Sequence, residues 1–179
     1  MGVASFALFD TPLGPCALAW GANGLVGAYL PEADAAKTRA RVHRRFPDAA
    51  ETKPPPPIAG AIAAIGRLMR GEAEDFASVS LDMSATPDFN RRVYALAQTI
   101  PPGETLTYGE VAARIGEPGQ AQAVGQALGA NPFPIIVPCH RVVAAGGKLH
   151  GFSAPGGLDT KRKLLALEGS SLNGASLFE

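Results

Sequence analysis

Cys139 and His140 are adjacent residues whose side chains could carry out nucleophilic chemistry. A thiol is a good nucleophile only as the thiolate, and an ordinary cysteine with a pKa of about 8.5 is only slightly ionised at neutral pH. The neighbouring imidazole could take the proton, but successive side chains of an extended segment point to opposite sides. Contact therefore needs a turn or a bridging water, and a third group to orient the ring. On composition and spacing alone, a buried apolar cysteine remains the more frequent alternative.

A proline-rich segment leads into this pair. Residues 131–138 read Asn-Pro-Phe-Pro-Ile-Ile-Val-Pro. Proline fixes φ and removes a backbone donor, so this spacing predicts a rigid loop that holds Cys139 in place.

Two short helices are predicted ahead of this loop. Thr107, followed three residues later by Glu110, has the spacing of a capping box and indicates a helix from about 107 to 115. A Gly-containing break at 116–119 separates it from a second helix at 120–130, which is rich in small residues. This layout is typical of a helix-turn-helix, although an ordinary helical hairpin fits the same pattern.

The sequence predicts two domains. The N-terminal domain is of the α/β class, with a small β-sheet and helices, and the C-terminal domain is mostly helical and contains the helix-turn-helix. Short apolar runs separated by turn residues, including Asn23-Gly24, indicate the strands. We place the domain boundary near Pro87, giving domains of 1–86 and 87–179. The predicted strands are 4–9, 17–20, 25–30 and 79–81, and the predicted N-terminal helices are 32–46 and 58–70.

Composition limits the possible classes of function. The 179 residues are 46% hydrophobic and 18% charged, which is ordinary for a globular protein. The longest apolar stretches are interrupted by Gly or Pro, and the N-terminus lacks a basic cluster, so we expect neither a membrane span nor a secretory signal. The net charge is zero, but residues 88–168 hold eight Lys or Arg against six acids. Any nucleic-acid contact is therefore expected in the C-terminal half.

The cysteine and histidine pattern argues against structural cross-links. Cys16 and Cys139 are too few for a disulfide framework, so we expect both to be reduced in a cytoplasmic setting. The three histidines (His43, His140 and His150) lack ligand spacing, so no metal is expected.

The segment around Cys139 resembles the active-site signature of the O6-alkylguanine-DNA alkyltransferases. The resemblance rests on Asn131-Pro132 followed by the run 135–143, Ile-Ile-Val-Pro-Cys-His-Arg-Val-Val. Similarity continues collinearly from about Phe89 to Gly169, whereas the N-terminal half matches loosely, chiefly at Thr11–Gly14.

The resemblance implies a role for each matching residue. Cys139 would accept the alkyl group, His140 would remove the thiol proton through a water, Glu168 would orient His140, and Asn131 would hold the turn. Tyr108 would lie at a backbone phosphate and help to swing the damaged base out of the duplex, and Ser153 would hydrogen-bond near O6. Base flipping is required because the alkyl carbon cannot be reached inside a duplex. The other implied DNA-side positions are Asn90, Gln122, Ala123, Gly125, Arg141 and Phe152.

The resemblance further implies an irreversible, single-turnover transfer by a monomer that needs no cofactor or obligate protein partner. Alkylated double-stranded DNA would be its partner, and the extra alkyl group should destabilise the product.

The sequence departs from the family at two places. Gln122 stands where an arginine usually enters the base stack, and no basic residue occurs from Gln120 to Ala130. We therefore expect weak, salt-sensitive binding to duplex DNA. Phe152 replaces a frequent tyrosine and lacks its hydroxyl, and the loop that follows at 154–157 is two residues longer than is common. The range of adducts accepted stays open.

Three other functions remain open at this stage. An alkyltransferase-like protein would bind lesions without repair, but that class lacks the acceptor cysteine. A helix-turn-helix regulator would need polar or basic side chains on its second helix, which is rich in Gly and Ala. A cysteine hydrolase would turn over repeatedly.

Overall fold

The computed structural model describes residues 4–148 and 157–170. A small N-terminal sheet is followed by a mainly helical C-terminal part, as predicted. The strands are β1 Ser5–Thr11, β2 Gly14–Gly21, β3 Gly24–Tyr29, β4 Ala50–Glu51, β5 Leu106–Thr107 and β6 Val142–Val143. The helices are α1 Ala35–Arg45, α2 Pro56–Met69, α3 Asp88–Ala97, α4 Tyr108–Arg114, α5 Ala121–Gly129 and α6 Gly157–Leu167.

The N-terminal sheet has the strand order β3-β2-β1-β4. β1, β2 and β3 form an antiparallel meander, and β4 adds to β1 in parallel. Both tight turns depend on glycine: Gly14 and Gly24 have φ values of 123° and 120°. At Gly24 a Cβ would also clash with the Ser80 carbonyl. Glycine therefore fixes where the sheet reverses direction.

Two strand assignments differ from the prediction. Residues 79–81 do not form a strand; Leu81 makes one isolated bridge to Leu25. The Asp82 side chain accepts hydrogen bonds from the backbone and hydroxyl of Ser84, and this local turn competes with further pairing along the sheet edge. β4 was not predicted, because its two residues are exposed and show no apolar pattern.

The N-terminal helices begin and end where the local chemistry indicates. The Asp34 side chain accepts a hydrogen bond from the Lys37 amide at 2.8 Å and caps α1. The last helical residue is Arg45, two positions before Pro47. α2 has prolines in its first turn, where a missing donor costs little, and buries Ile58, Ile65 and Leu68.

α4 and α5 have the predicted arrangement of two short helices. The capping box is present in both directions: the Thr107 hydroxyl accepts from the Glu110 amide at 3.1 Å, and the Glu110 carboxylate accepts from the Thr107 amide at 2.7 Å. Gly116 and Gly119 have positive φ in the turn that follows, as a tight reversal between helices requires.

The larger of two buried clusters includes residues from both halves of the chain. It joins Leu18 and Ile65 to Val93, Val124 and Val142. A smaller cluster between the sheet and α1 is centred on Phe6 and Val42. Cys139 is thus held on a scaffold to which both halves contribute, and the boundary near Pro87 stays a prediction. Across the described ranges, none of the helices combines the length and the apolar character that a bilayer crossing requires.

Candidate active site

A compact loop after α5 carries Cys139. The amide of Val137 donates to the carbonyl of Phe133, and the amide of Cys139 donates to the carbonyl of Val137, both at 2.8 Å. Ile135 has a φ of 76°, which is unusual for a β-branched residue, so the loop is backbone-strained at this point. A single 3-10 turn, Cys139–Arg141, then leads into β6. Cys139 and His140 therefore lie on a turn, as contact between them requires.

Asn131 ties this loop together. Its side-chain oxygen accepts from the Phe133 amide at 2.9 Å, and its side-chain nitrogen donates to the Val137 carbonyl at 3.0 Å. The side chain also lies close enough to the Cys139 thiol to favour the thiolate and lower its pKa. The turn-holding role expected of Asn131 agrees with these contacts.

The Cys139 thiol lies in a buried but polar environment. Only 8% of the residue is exposed, and this burial raises the pKa of the thiol. Opposing influences are the hydrogen bond from Asn131, the charge of Lys161 and the backbone amides of Cys139 and His140, all of which favour the thiolate. The site thus holds the residue as a thiol at rest and places several groups where they can stabilise an anion.

His140 is oriented by a buried carboxylate. Its Nε2 lies 2.8 Å from Glu168 Oε1, and the side chains are 0% and 1% exposed. Burial lowers the pKa of His140, against the opposing influence of Glu168, so the ring is neutral. A neutral ring that donates from Nε2 leaves Nδ1 as the acceptor. Nδ1 is buried and has no hydrogen-bond partner within the described part of the chain.

Arg141 completes the support of Glu168. Its guanidinium donates to both carboxylate oxygens of Glu168, at 3.0 and 2.7 Å, and to the carbonyl of Ile100 at 2.6 Å. Burial would raise the pKa of Glu168, but the hydrogen bonds from His140 and Arg141 lower it to about 2. The resemblance implied a DNA-side role for Arg141; the structure instead places its side chain behind His140, 5% exposed.

Lys161 is a site residue that the sequence analysis missed. It is 1% exposed, donates from Nζ to the Val142 carbonyl at 2.8 Å, and has Nζ 5.8 Å from the centroid of the Tyr108 ring. Burial lowers its pKa to about 8, while the nearby Cys139 opposes that shift. A helical pattern could have revealed it, because Lys161 shares the buried face of α6 with Leu164 and Leu165.

Tyr108 lies at the first position of α4, above Lys161. A Cβ on Gly125 would lie 3.9 Å from the Tyr108 ring, an ordinary van der Waals distance, so the ring packs close to the backbone of α5. Burial raises the pKa of Tyr108, and the Cys139 thiolate adds to this. The structure therefore brings Tyr108 and Gly125 to the same side of the molecule as Cys139.

The remaining predicted DNA-side residues are distributed along α3 and α5. Gln122 is exposed and Ala123 is half-buried. Asn90 is half-buried and hydrogen-bonds the hydroxyl of Tyr94. Phe152 and Ser153 lie outside the described residues. No cluster of three potential metal ligands occurs among the residues that the structure describes.

Comparison with known proteins identifies the family. Residues 88–170 match the family described as 6-O-methylguanine DNA methyltransferase, DNA binding domain. The methylated-DNA–protein-cysteine methyltransferase of Mycobacterium tuberculosis is 42% identical over 165 residues, which cover 92% of each chain. The namesake from Mycolicibacterium paratuberculosis is 51% identical over 117 residues, covering 65% of this chain and 68% of that protein.

Solved structures agree with the sequence comparison. The crystal structure of Mycobacterium tuberculosis OGT in complex with DNA superimposes with a TM-score of 0.74 at 38% identity, covering 98% of this chain and 99% of that one. The O6-methylguanine-DNA methyltransferase of Pyrococcus kodakaraensis gives 0.70 at 25% identity, covering 93% and 99%. The chain belongs to the methylated-DNA–protein-cysteine methyltransferase family.

Proposed function

We propose that this protein repairs O6-alkylguanine in DNA by moving the alkyl group irreversibly onto Cys139. The observation that carries this proposal is the buried array Cys139, His140, Glu168 and Arg141, together with the positive charge of Lys161, which favours the thiolate. In such an array Cys139 stays protonated at rest and forms a thiolate only when its proton is withdrawn. This behaviour suits an acceptor that must wait for a rare lesion.

The transfer is a displacement at the alkyl carbon. The Cys139 proton passes through a water to Nδ1 of His140, and the resulting imidazolium is stabilised by the Glu168 carboxylate. The thiolate sulfur forms a bond to the alkyl carbon while the bond from that carbon to O6 breaks. The electron pair of the broken bond stays on guanine, which takes up one proton while His140 releases the proton it received to solvent, and the repaired base remains part of the DNA. The thioether is stable, so each molecule acts once.

Lys161 supplies fixed positive charge during this step. With a pKa of about 8 it is mostly protonated at neutral pH. Since it is buried, its attraction for the thiolate is little screened by solvent. We propose that Lys161 lowers the barrier by stabilising the anion from which attack begins.

DNA recognition is assigned to the C-terminal domain, residues 87–179. We propose that α4 and α5 act as a helix-turn-helix and that the target base is flipped out of the duplex past Tyr108. Gln122, Ala123 and Gly125 would face the vacated stack, with Asn90 nearby, and Phe152 and Ser153 would border the base. The N-terminal domain, residues 1–86, would support the acceptor site. The protein would act as a monomer. Its setting would be reducing and cytoplasmic, because the acceptor must be a free thiol.

Intact-protein mass spectrometry tests the proposal. The protein is incubated under reducing conditions with duplex oligonucleotides that carry one O6-methylguanine. We expect a single mass increase of one methyl group per protein, absent in Cys139→Ser. Lesion binding without a mass change would favour the alkyltransferase-like alternative, and repaired DNA in excess of protein would favour a turning-over enzyme; either result contradicts the proposal.

A further inference from the structure

The outer edge of β3 makes backbone contacts with two separate segments. The amide of Leu25 donates to the Ser80 carbonyl at 2.9 Å, and the amide of Ala28 donates to the Pro132 carbonyl at 2.8 Å. In a regular strand, residues three apart point their amides in opposite directions. Here Gly27 pairs with Ala19 and Leu25 pairs with Trp20, so the register shift leaves one extra residue in β3. This bulge turns both amides outward.

The second contact reaches the acceptor loop. The peptide group between Pro132 and Phe133 is held at both ends: its carbonyl accepts from the Ala28 amide, and its amide donates to the Asn131 side chain at 2.9 Å. That hydrogen bond fixes which end of the Asn131 side chain is the donor. The donor end then faces the Val137 carbonyl and the Cys139 thiol.

We propose that the backbone amide of Ala28 is a positioning group for the acceptor cysteine: it holds the Pro132–Phe133 peptide in the orientation that directs the Asn131 donor to the sulfur. The proposal rests on Cys139 being the acceptor. It gives the N-terminal sheet a role in the chemistry beyond support, through one hydrogen bond from a bulged edge strand.

Replacing a single backbone amide by an ester tests this directly. Ala28→lactic acid in the full-length protein removes the donor and keeps the side chain. The rate of Cys139 alkylation by iodoacetamide is then followed against pH, with peptide mass spectrometry locating the label. We expect the rate at neutral pH to fall about tenfold, and the profile to shift to higher pH and converge with wild type there, since less thiolate forms when a donor is lost.

The matched control is Leu25→leucic acid, which removes the other outward donor of β3. This variant should keep the wild-type profile. If the Ala28 ester has an unchanged profile, or a rate lowered equally at every pH, the proposal is wrong. Because iodoacetamide needs no DNA, a shifted profile without methyl transfer would refute the proposed function, and it would still show that the Ala28 amide controls the ionisation of Cys139.

A second measurement needs no change at position 28. The nuclear magnetic resonance signal of the Ala28 amide in wild type should shift with the same midpoint as Cys139 ionisation, and this shift should vanish in Cys139→Ser. An Ala28 signal that does not respond to Cys139 ionisation overturns the proposal.

Discussion

The surroundings of Cys16 and Cys139 show that burial by itself does not make a nucleophile. Both cysteines are free and buried, at 1% and 8% exposure. Cys16, in the middle of the N-terminal sheet, lies 3.6 Å from the Thr11 hydroxyl, and burial raises its pKa to about 11. The thiolate of Cys139 is favoured by an amide side chain, an ammonium charge and two backbone amides. Fixed donors and charge distinguish the two sites.

Ion pairs also differ between the N-terminal half and the surroundings of Cys139, in how far they are exposed to solvent. In the N-terminal half, Arg39 pairs with Glu51 at 2.7 Å, with both side chains at least 40% exposed. Near Cys139, Arg141 pairs with Glu168 at the same distance, with both side chains at most 5% exposed. Solvent screens the exposed pair, so it contributes little to stability. In the buried pair, removal of either partner would leave the other as an unpaired buried charge.

Removing the buried carboxylate should have the largest effect. Glu168→Gln leaves Arg141 without its counter-ion and replaces one of the two acceptor oxygens by an amide nitrogen, so we expect a loss of about 3–5 kcal/mol in the free energy of unfolding, measured by urea denaturation at neutral pH. Glu51→Gln is the exposed control and should change stability far less.

The pH dependence sharpens this test. Because the pKa of Glu168 is lowered to about 2, its stabilisation is complete above the ordinary glutamate pKa of 4.5 and is lost as pH falls toward 2. The difference between wild type and Glu168→Gln should shrink over that interval. Equal effects of the two glutamine variants would contradict the contrast between buried and exposed pairs.

Removing the buried ammonium should have the next largest effect. Lys161→Met keeps the apolar length and loses the charge, so Cys139 alkylation by iodoacetamide at neutral pH should slow about tenfold. In wild type the charge itself is lost as pH rises through about 8, so the difference should narrow above that pH. Lys163→Met, which alters an exposed side chain of the same helix, is the control. If Lys161→Met keeps the wild-type alkylation profile, the claim that Lys161 stabilises the Cys139 thiolate is contradicted.

Two buried tyrosines provide a smaller comparison. The Tyr94 hydroxyl donates to the Ala127 carbonyl near the end of α5 at 2.6 Å, whereas the buried Tyr29 hydroxyl has no partner among the described residues. Tyr94→Phe should cost about 1–2 kcal/mol of stability because a buried carbonyl is left unpaired. Tyr29→Phe should cost nothing. Thermal unfolding of both variants measures the difference, and a larger loss in Tyr29→Phe would reverse the expected order.

The smallest effect is expected from a charge change on the exposed surface of α5, which lacks the basic residues that α1 carries. α1 carries several arginines, whereas residues 115–140 contain neither Lys nor Arg. Gln122→Arg should strengthen duplex binding severalfold and steepen its salt dependence by about one counterion. Gln122→Met, which keeps the length of the side chain and adds no charge, is the control. If Gln122→Arg leaves duplex affinity and repair rate unchanged, the assignment of α5 to the DNA interface is contradicted.

Local signals predicted most of the fold and pointed to the candidate acceptor Cys139. The Asn23-Gly24 turn, the Thr107–Glu110 capping box and the signature around Cys139 each act over a few residues, so the sequence displays them directly. The residues alone could not show that Arg141 turns inward to Glu168, because that contact joins residues 27 positions apart. The similarly distant pairing of His140 with Glu168 was expected only through the family resemblance. Lys161 was missed because its charge suggested exposure, although it shares a helical face with the buried Leu164 and Leu165. The bulge in β3 is equally non-local, since it appears only through pairing with β2.

The most direct test of the account is to locate the methyl group after reaction with DNA that carries an isotopically labelled O6-methylguanine. Peptide mass spectrometry of the reacted protein should find the labelled methyl on the peptide containing Cys139, in at most one copy per molecule, and none on the peptide containing Cys16. Label on Cys16, or an unmodified Cys139 after prolonged exposure to the lesion, would contradict the claim that Cys139 and its surrounding charges form the acceptor.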